Sequence, residues 1–169
     1  MYIKSIPADF KPIERHDGIF QEKVHDFFRA KVCGRLQKPV ICPQCKAVFD
    51  HGRWRWGEAP VVSVQQVCPA CYRISKNYPA GFVTLAGSKF LAKRDEIMHL
   101  VEKHEQQERL EHPLQRIMLV EPRIDSVLVT TTDILLARGI GEAMHQAYQG
   151  KLEYHYHSAE NLLRVRWRY

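Results

Sequence analysis

The sequence lacks several features that mark common functional classes. No apolar run approaches the ~18–20 residues that a membrane span needs, and Ile117-Met118-Leu119-Val120 is typical of its longest fragments. No membrane partner is therefore expected. Met1 to Gly18 carries Asp9, Glu14, Arg15 and Asp17 without an apolar h-region, so the expectation is no secretory signal and a cytoplasmic location. There is no Ser/His/Asp set, no paired-carboxylate signature and no Gly-rich phosphate loop. Gly139-Ile140-Gly141 falls inside a helical pattern, whereas a phosphate loop opens a helix. The chain is accordingly not expected to be an enzyme. Repeats and low-complexity tracts are absent too. Cysteine is sparse, at five residues in 169. In a reducing compartment those five read as metal ligands or catalytic thiols rather than disulfides.

What is present is an ordinary globular composition, 45% hydrophobic, with 25 Lys+Arg against 19 Asp+Glu. That excludes wholesale disorder. The net +6 lies entirely in residues 1–87; residues 88–112 carry −1 and residues 113–169 carry +1. A basic half attracts phosphate, because each neutralised phosphate releases counterions, while the same excess also serves plain solubility.

The spacing predicts an α+β protein in four parts. Residues 1–38 form an N-terminal arm with one short helix over Ile19–Val32, whose Phe20, Val24, Phe27 and Phe28 share a face. Residues 39–87 form a cysteine module. Residues 88–112, free of Pro and Gly, read as one connecting helix with Ser88 as N-cap. From Glu102 onward that helix has Leu110 as its only large apolar residue, so its distal half faces solvent or a partner. Residues 113–169 read as a ββαββ domain with a largely antiparallel sheet. Strands are expected over Gln115–Glu121, Ile124–Thr131, Lys151–His157 and Leu162–Tyr169. A helix capped at Thr132-Asp133 carries the stripe Leu136, Ile140, Ala143, Met144 and Ala147.

Cys42-Pro43-Gln44-Cys45 and Cys68-Pro69-Ala70-Cys71 are the strongest signal. A two-residue gap lets both thiolates of a knuckle reach one ion at about 2.3 Å, and two knuckles close a tetrahedron. Such a four-cysteine zinc-ribbon shell leaves no open position, so the expected cofactor is one structural Zn2+ held by Cys42, Cys45, Cys68 and Cys71. A thioredoxin-like redox pair needs a βαβ context and only one pair. A redox-switched zinc site is a further reading. Cys33 has no partner at ligand spacing and reads as a free thiol, and His51 is not needed as a ligand.

Two basic surfaces follow from strand alternation. Between the knuckles, Arg53 and Arg55 alternate with Trp54 and Trp56. The arginines suit phosphate contact; the tryptophans either stack on bases or cover the ribbon. In the last two strands, pairing the apolar sets against the helix leaves Arg164, Arg166, Arg168, Lys151, His155 and His157 on the outer face. Like charges repel across a sheet, and an anionic partner relieves them; a solvated edge that deters aggregation is the other reading.

The order of these segments carries a resemblance. The two C-P-x-C knuckles are followed by Gly81-Phe82-Val83 and a long helix. Then come Thr130-Thr-Thr-Asp-Ile-Leu-Leu-Ala-Arg138-Gly-Ile-Gly141, Gly150-Lys-Leu-Glu-Tyr154 and Leu163-Arg-Val-Arg-Trp167. This resembles the archaeal and eukaryotic large-ribosomal-subunit export adaptor (nonsense-mediated-decay-three-like) family. It is more similar still to small bacterial zinc-ribbon proteins with a G-R-W-x-W stretch, here Gly52 to Trp56. The similarity spans roughly residues 39–169. It implies association with ribosomal RNA or a ribosomal subunit through the ribbon and the α+β domain, in assembly or in a translation-silent state. The adaptor's second zinc site and β-barrel domains have no counterpart in these 169 residues, so its export signal and tRNA-site contacts are not expected. The competing expectation is a protein-interaction adaptor, in which the ribbon is a scaffold and residues 102–111 with the arm capture a protein.

Overall fold

The computed structural model describes residues 39–157 and 161–169. The arm with its Ile19–Val32 helix, Cys33 and most of the Ser158–Asn161 connection lie outside the described residues.

The first sheet is small and built around the cysteines. Its strands are β1 (Val40–Ile41), β2 (Val48–Asp50), β3 (Arg53–Arg55) and β4 (Val64–Gln65), in the order β3-β2-β1-β4. β1/β2 and β2/β3 are antiparallel and β1/β4 is parallel. The β2–β3 turn places His51 and Gly52 at φ 48° and 82°. Positive φ at both central residues suits the right-handed strand twist. A short helix, α1 (Pro69–Ser75), follows, with Cys68 at its N-cap and Pro69 at the first helical position.

The second sheet has five strands. These are β5 (Gly81–Ala86), β6 (Ile117–Pro122), β7 (Ser126–Thr131), β8 (Lys151–His157) and β9 (Leu162–Arg168), in the order β6-β7-β5-β9-β8. This corrects the four-stranded expectation. Gly81–Ala86, assigned by spacing to the cysteine module, is the central strand, antiparallel to β7 and parallel to β9. Its first five residues are buried, and a strand covered on both faces reads as a continuous apolar run with no alternation to reveal it. Residues 81–86 therefore belong with the second sheet.

The long helix is also interrupted. α2 (Ser88–Ala92) and α3 (Arg94–Glu111) meet at Lys93. Ser88 is not the cap: Gly87 holds that position at φ 113°, with no side-chain cap bond. A Cβ there would strike the backbone of Tyr169, whose carbonyl accepts from the Lys89 N–H (3.1 Å) and whose N–H donates to Ala86 O (3.0 Å). Tyr169 thus shapes the turn that starts α2. The apolar first half of this segment packs inward, with Phe90, Ile97 and Val101 fully buried in the main core. From Glu102 to Glu111 α3 is mostly exposed, Leu110 at 75%, although Glu105 is buried.

α4 (Ile134–Tyr148) is capped by Asp133, whose Oδ1 accepts from the Leu135 N–H at 2.7 Å. Leu136, Ala137, Ile140 and Met144 form its buried stripe against Val83, Leu85, Val127, Val129, Val165 and Trp167 of the sheet. Gly81 and Gly141 let strand and helix approach, since a Cβ on Gly141 would meet Val165 Cγ1 at 2.6 Å. The opposite sheet face carries a second buried cluster of Phe82, Leu128 and Leu162. Among the described residues no helix is long and apolar enough to cross a membrane.

Candidate metal centre

Each knuckle forms for a local reason. After Cys42 the chain reverses at once: the Lys46 N–H donates to Cys42 O (2.9 Å) and the Cys42 N–H to Ala47 O (2.8 Å). Lys46 sits at φ 66° to close this turn. The second knuckle is the N-terminus of α1, where free N–H groups point at the sulfurs. Cys71 N–H donates to Cys68 Sγ (3.4 Å), and Cys68 N–H donates across to Cys42 Sγ (3.3 Å).

The four cysteine sulfurs lie within 4.8 Å of one another, and none is in a disulfide. Zn–S bonds of about 2.3 Å set tetrahedral sulfurs about 3.8 Å apart. The Cys45–Cys68 separation of 3.6 Å is close to that value. Cys42, Cys68 and Cys71 are buried and Cys45 is half-buried. Four clustered thiols and inward N–H donors fit one zinc ion, with all four positions filled by protein. Bound there, zinc would supply cross-linking rather than catalysis.

Arg116 completes the surroundings, and spacing offered no sign of it. It lies between Pro113 and β6, remote from both knuckles in sequence, and is 6% exposed. Its Nη1 donates to Cys71 Sγ (3.4 Å) and its Nε to Pro113 O (2.7 Å). Its Nη2 is buried with no hydrogen-bond partner. Thr132 fixes its backbone, the Oγ1 accepting from the Arg116 N–H (3.0 Å). In the metal-free thiols, burial pushes Cys68 and Cys71 up. Burial acts the same way on Cys45, but the neighbouring Arg116 guanidinium and the Ala47 N–H together bring it down to about 7.

The hairpin beside the cysteines is not purely cationic. Acid is close by: Asp50 pairs with Arg55 (3.3 Å) and with His51 (3.1 Å). Despite some desolvation, these two partners hold the Asp50 carboxyl below its ordinary value. Arg53 is exposed. Trp54 is half-buried against Phe49, ring centroids 5.5 Å apart. Trp56 is half-buried as well, and its Nε1 donates to Arg109 O at 2.6 Å. That carbonyl is an orphan of the helix end, because the residue four positions on is Pro113, which has no N–H. The Arg116 guanidinium lies 5.7 Å from the Trp56 ring.

The outer sheet face is less uniformly cationic than alternation suggested. Arg164 is buried, 9% exposed, with its guanidinium over the Phe82 ring (5.6 Å), and so is not an open contact residue. Its cross-strand neighbours are two rings, Phe82 on β5 and His155 on β8. Arg166 is half-buried and its cross-strand neighbour is Glu153, which adds a negative charge to the face. Lys151 is exposed but pairs with Glu153 at 2.8 Å. His155 and His157 are half-buried with rings 4.9 Å apart, and Arg168 is exposed.

Comparison with known proteins finds no matching family model, no matching curated protein and no matching solved structure. The chain is thus described by its own site: a mixed α+β protein with antiparallel-rich sheets and a four-cysteine cluster suited to one zinc.

Proposed function

We propose that this is a zinc-containing RNA-binding protein associated with ribosomal RNA or a ribosomal subunit in the cytoplasm, and not an enzyme. The observation that carries the reading is the four-cysteine cluster with an arginine hairpin fixed beside it. Zinc is a scaffold in this reading, and Arg53 and Arg55 are the phosphate contacts. Arg166, Arg168, Lys151 and the His155/His157 pair extend the cationic surface at the far edge of the second sheet. The resemblance to the ribosomal-subunit adaptor family supports the same class of partner.

Binding of ribosomal RNA to the zinc-loaded protein should weaken steeply with salt, each neutralised phosphate adding roughly −0.7 to −0.9 to the slope of log K against log[salt]. Replacing Arg53 and Arg168 together by Ala should lower the magnitude of that slope by between about one and two and leave the fold unchanged. Filter binding at low salt and gradient fractionation check this. Protein that is always free of ribosomal particles and shows no RNA affinity at low salt sinks the reading.

The second reading, a protein-interaction adaptor, is favoured by the exposed distal part of α3 with Leu110 outward, and by Val61 and Val62 in an exposed loop. In that case the Arg53/Arg168 variant captures its partner as well as the parent does.

A further inference from the structure

A buried guanidinium is stable only beside a compensating charge. Among the described residues no carboxylate lies within ion-pair distance of Arg116, and the charges it faces are those of the cysteine sulfurs. Four thiolates around a dication leave two net negative charges in a nearly dry pocket. The same guanidinium packs on Trp56, whose indole is hooked to Arg109 O at the end of α3. A continuous path therefore runs from the cysteine sulfurs through Arg116 and Trp56 to the helix.

We infer that Arg116 is a positioning residue of the metal centre, which neutralises the zinc-bound thiolates and so links zinc loading to the seating of the Arg53–Trp56 hairpin against α3. The inference rests on the zinc reading above. With zinc bound, the thiolates hold Arg116 in place, and Arg116 holds the Trp56 ring. When zinc leaves, the four sulfurs no longer keep one geometry in front of the guanidinium, and Trp56 loses its backing. The hairpin is then free to leave the helix end.

The test uses the full chain with Arg116→Met and Arg116→Lys. Two readouts are followed: zinc affinity by competition with a chromophoric chelator, and the three tryptophan indole N–H resonances. Arg116→Met should lower zinc affinity about 10- to 100-fold, the usual effect of removing a partner of a metal ligand. It should also displace the Trp56 resonance while leaving that of Trp167, whose indole donates to Gln149 O in the second sheet. Arg116→Lys keeps the charge but not the planar fork. It should recover part of the zinc affinity and still displace Trp56. If Arg116→Met also loses the Trp167 signal, the decision passes to Arg116→Lys. A variant that keeps its fold, matches the parent in zinc affinity within about twofold and leaves the Trp56 resonance in place overturns the inference alone. Parent protein that takes up no zinc overturns the zinc reading as well, which separates the two failures.

Discussion

Cys68→Ser is expected to remove the zinc and, with it, the fold of residues 39–78. Cys68 is the most tied of the four ligands. Its sulfur accepts from the Cys71 N–H, its own N–H donates to Cys42 Sγ, and it caps α1. A serine oxygen is a poor fourth ligand for zinc, and the first sheet has little else to hold it. Its four strands are two or three residues long, and its buried apolar residues number only a few around Val40 and Phe49. Zinc binding in small modules is worth on the order of 10 kcal/mol or more, which is comparable to the whole stability of an ordinary domain. Metal content should drop from one zinc per chain to none, and amides of residues 40–75 should lose protection against hydrogen exchange. The second sheet has its own core and should keep its protection. Acid should act as the mutation does, because zinc binding displaces protons from the thiols and weakens as pH falls. A Cys68→Ser protein that keeps one zinc and full protection contradicts the assignment.

Trp167→Ala should produce the opposite pattern. Trp167 is fully buried on β9, stacked on Tyr169 at 5.5 Å and tilted against Tyr148 at 6.1 Å. Its Nε1 donates to Gln149 O (2.7 Å), fixing the turn where Gln149 adopts φ 63° and Gly150 φ 84°. Truncation removes the largest buried side chain of the core and leaves that carbonyl without its donor. Losses of about 3–5 kcal/mol are usual for such changes. For a unit of this size, that lowers the melting temperature by about 15–25 °C. Thermal unfolding followed by circular dichroism reads the effect, while zinc content should stay at one per chain. An unchanged melting temperature would place Trp167 outside the cooperative core.

Much of this was legible in the sequence. The knuckles were legible because zinc coordination imposes a spacing that little else imposes. Most of the α4 stripe, its Asp133 cap and the β8 and β9 strands were legible because apolar and polar residues recur there with a period set by the backbone, although Ala147, which the pattern placed in the stripe, is exposed. The central strand β5 was not, since burial on both faces erases that period and its partner β9 starts only at Leu162, far along the chain. Missing it also hid Phe82 from view, so Arg164, placed by alternation on the outer face, looked like an open cation when it is buried beside that ring. Arg116 was invisible for a related reason. Its role depends on the fold bringing residue 116 to residue 71, and no local pattern encodes that approach. The Trp56 contact was half legible, because Pro113 marks the end of the helix and leaves the Arg109 carbonyl without a donor.

Zinc content of the freshly purified, reduced full chain bears most directly on the four-cysteine centre around which everything else is arranged. One zinc per chain, released together with the protection of residues 40–75 when a strong chelator is added, is the expected result. Iron in its place, or no metal in protein that is nonetheless folded, contradicts it.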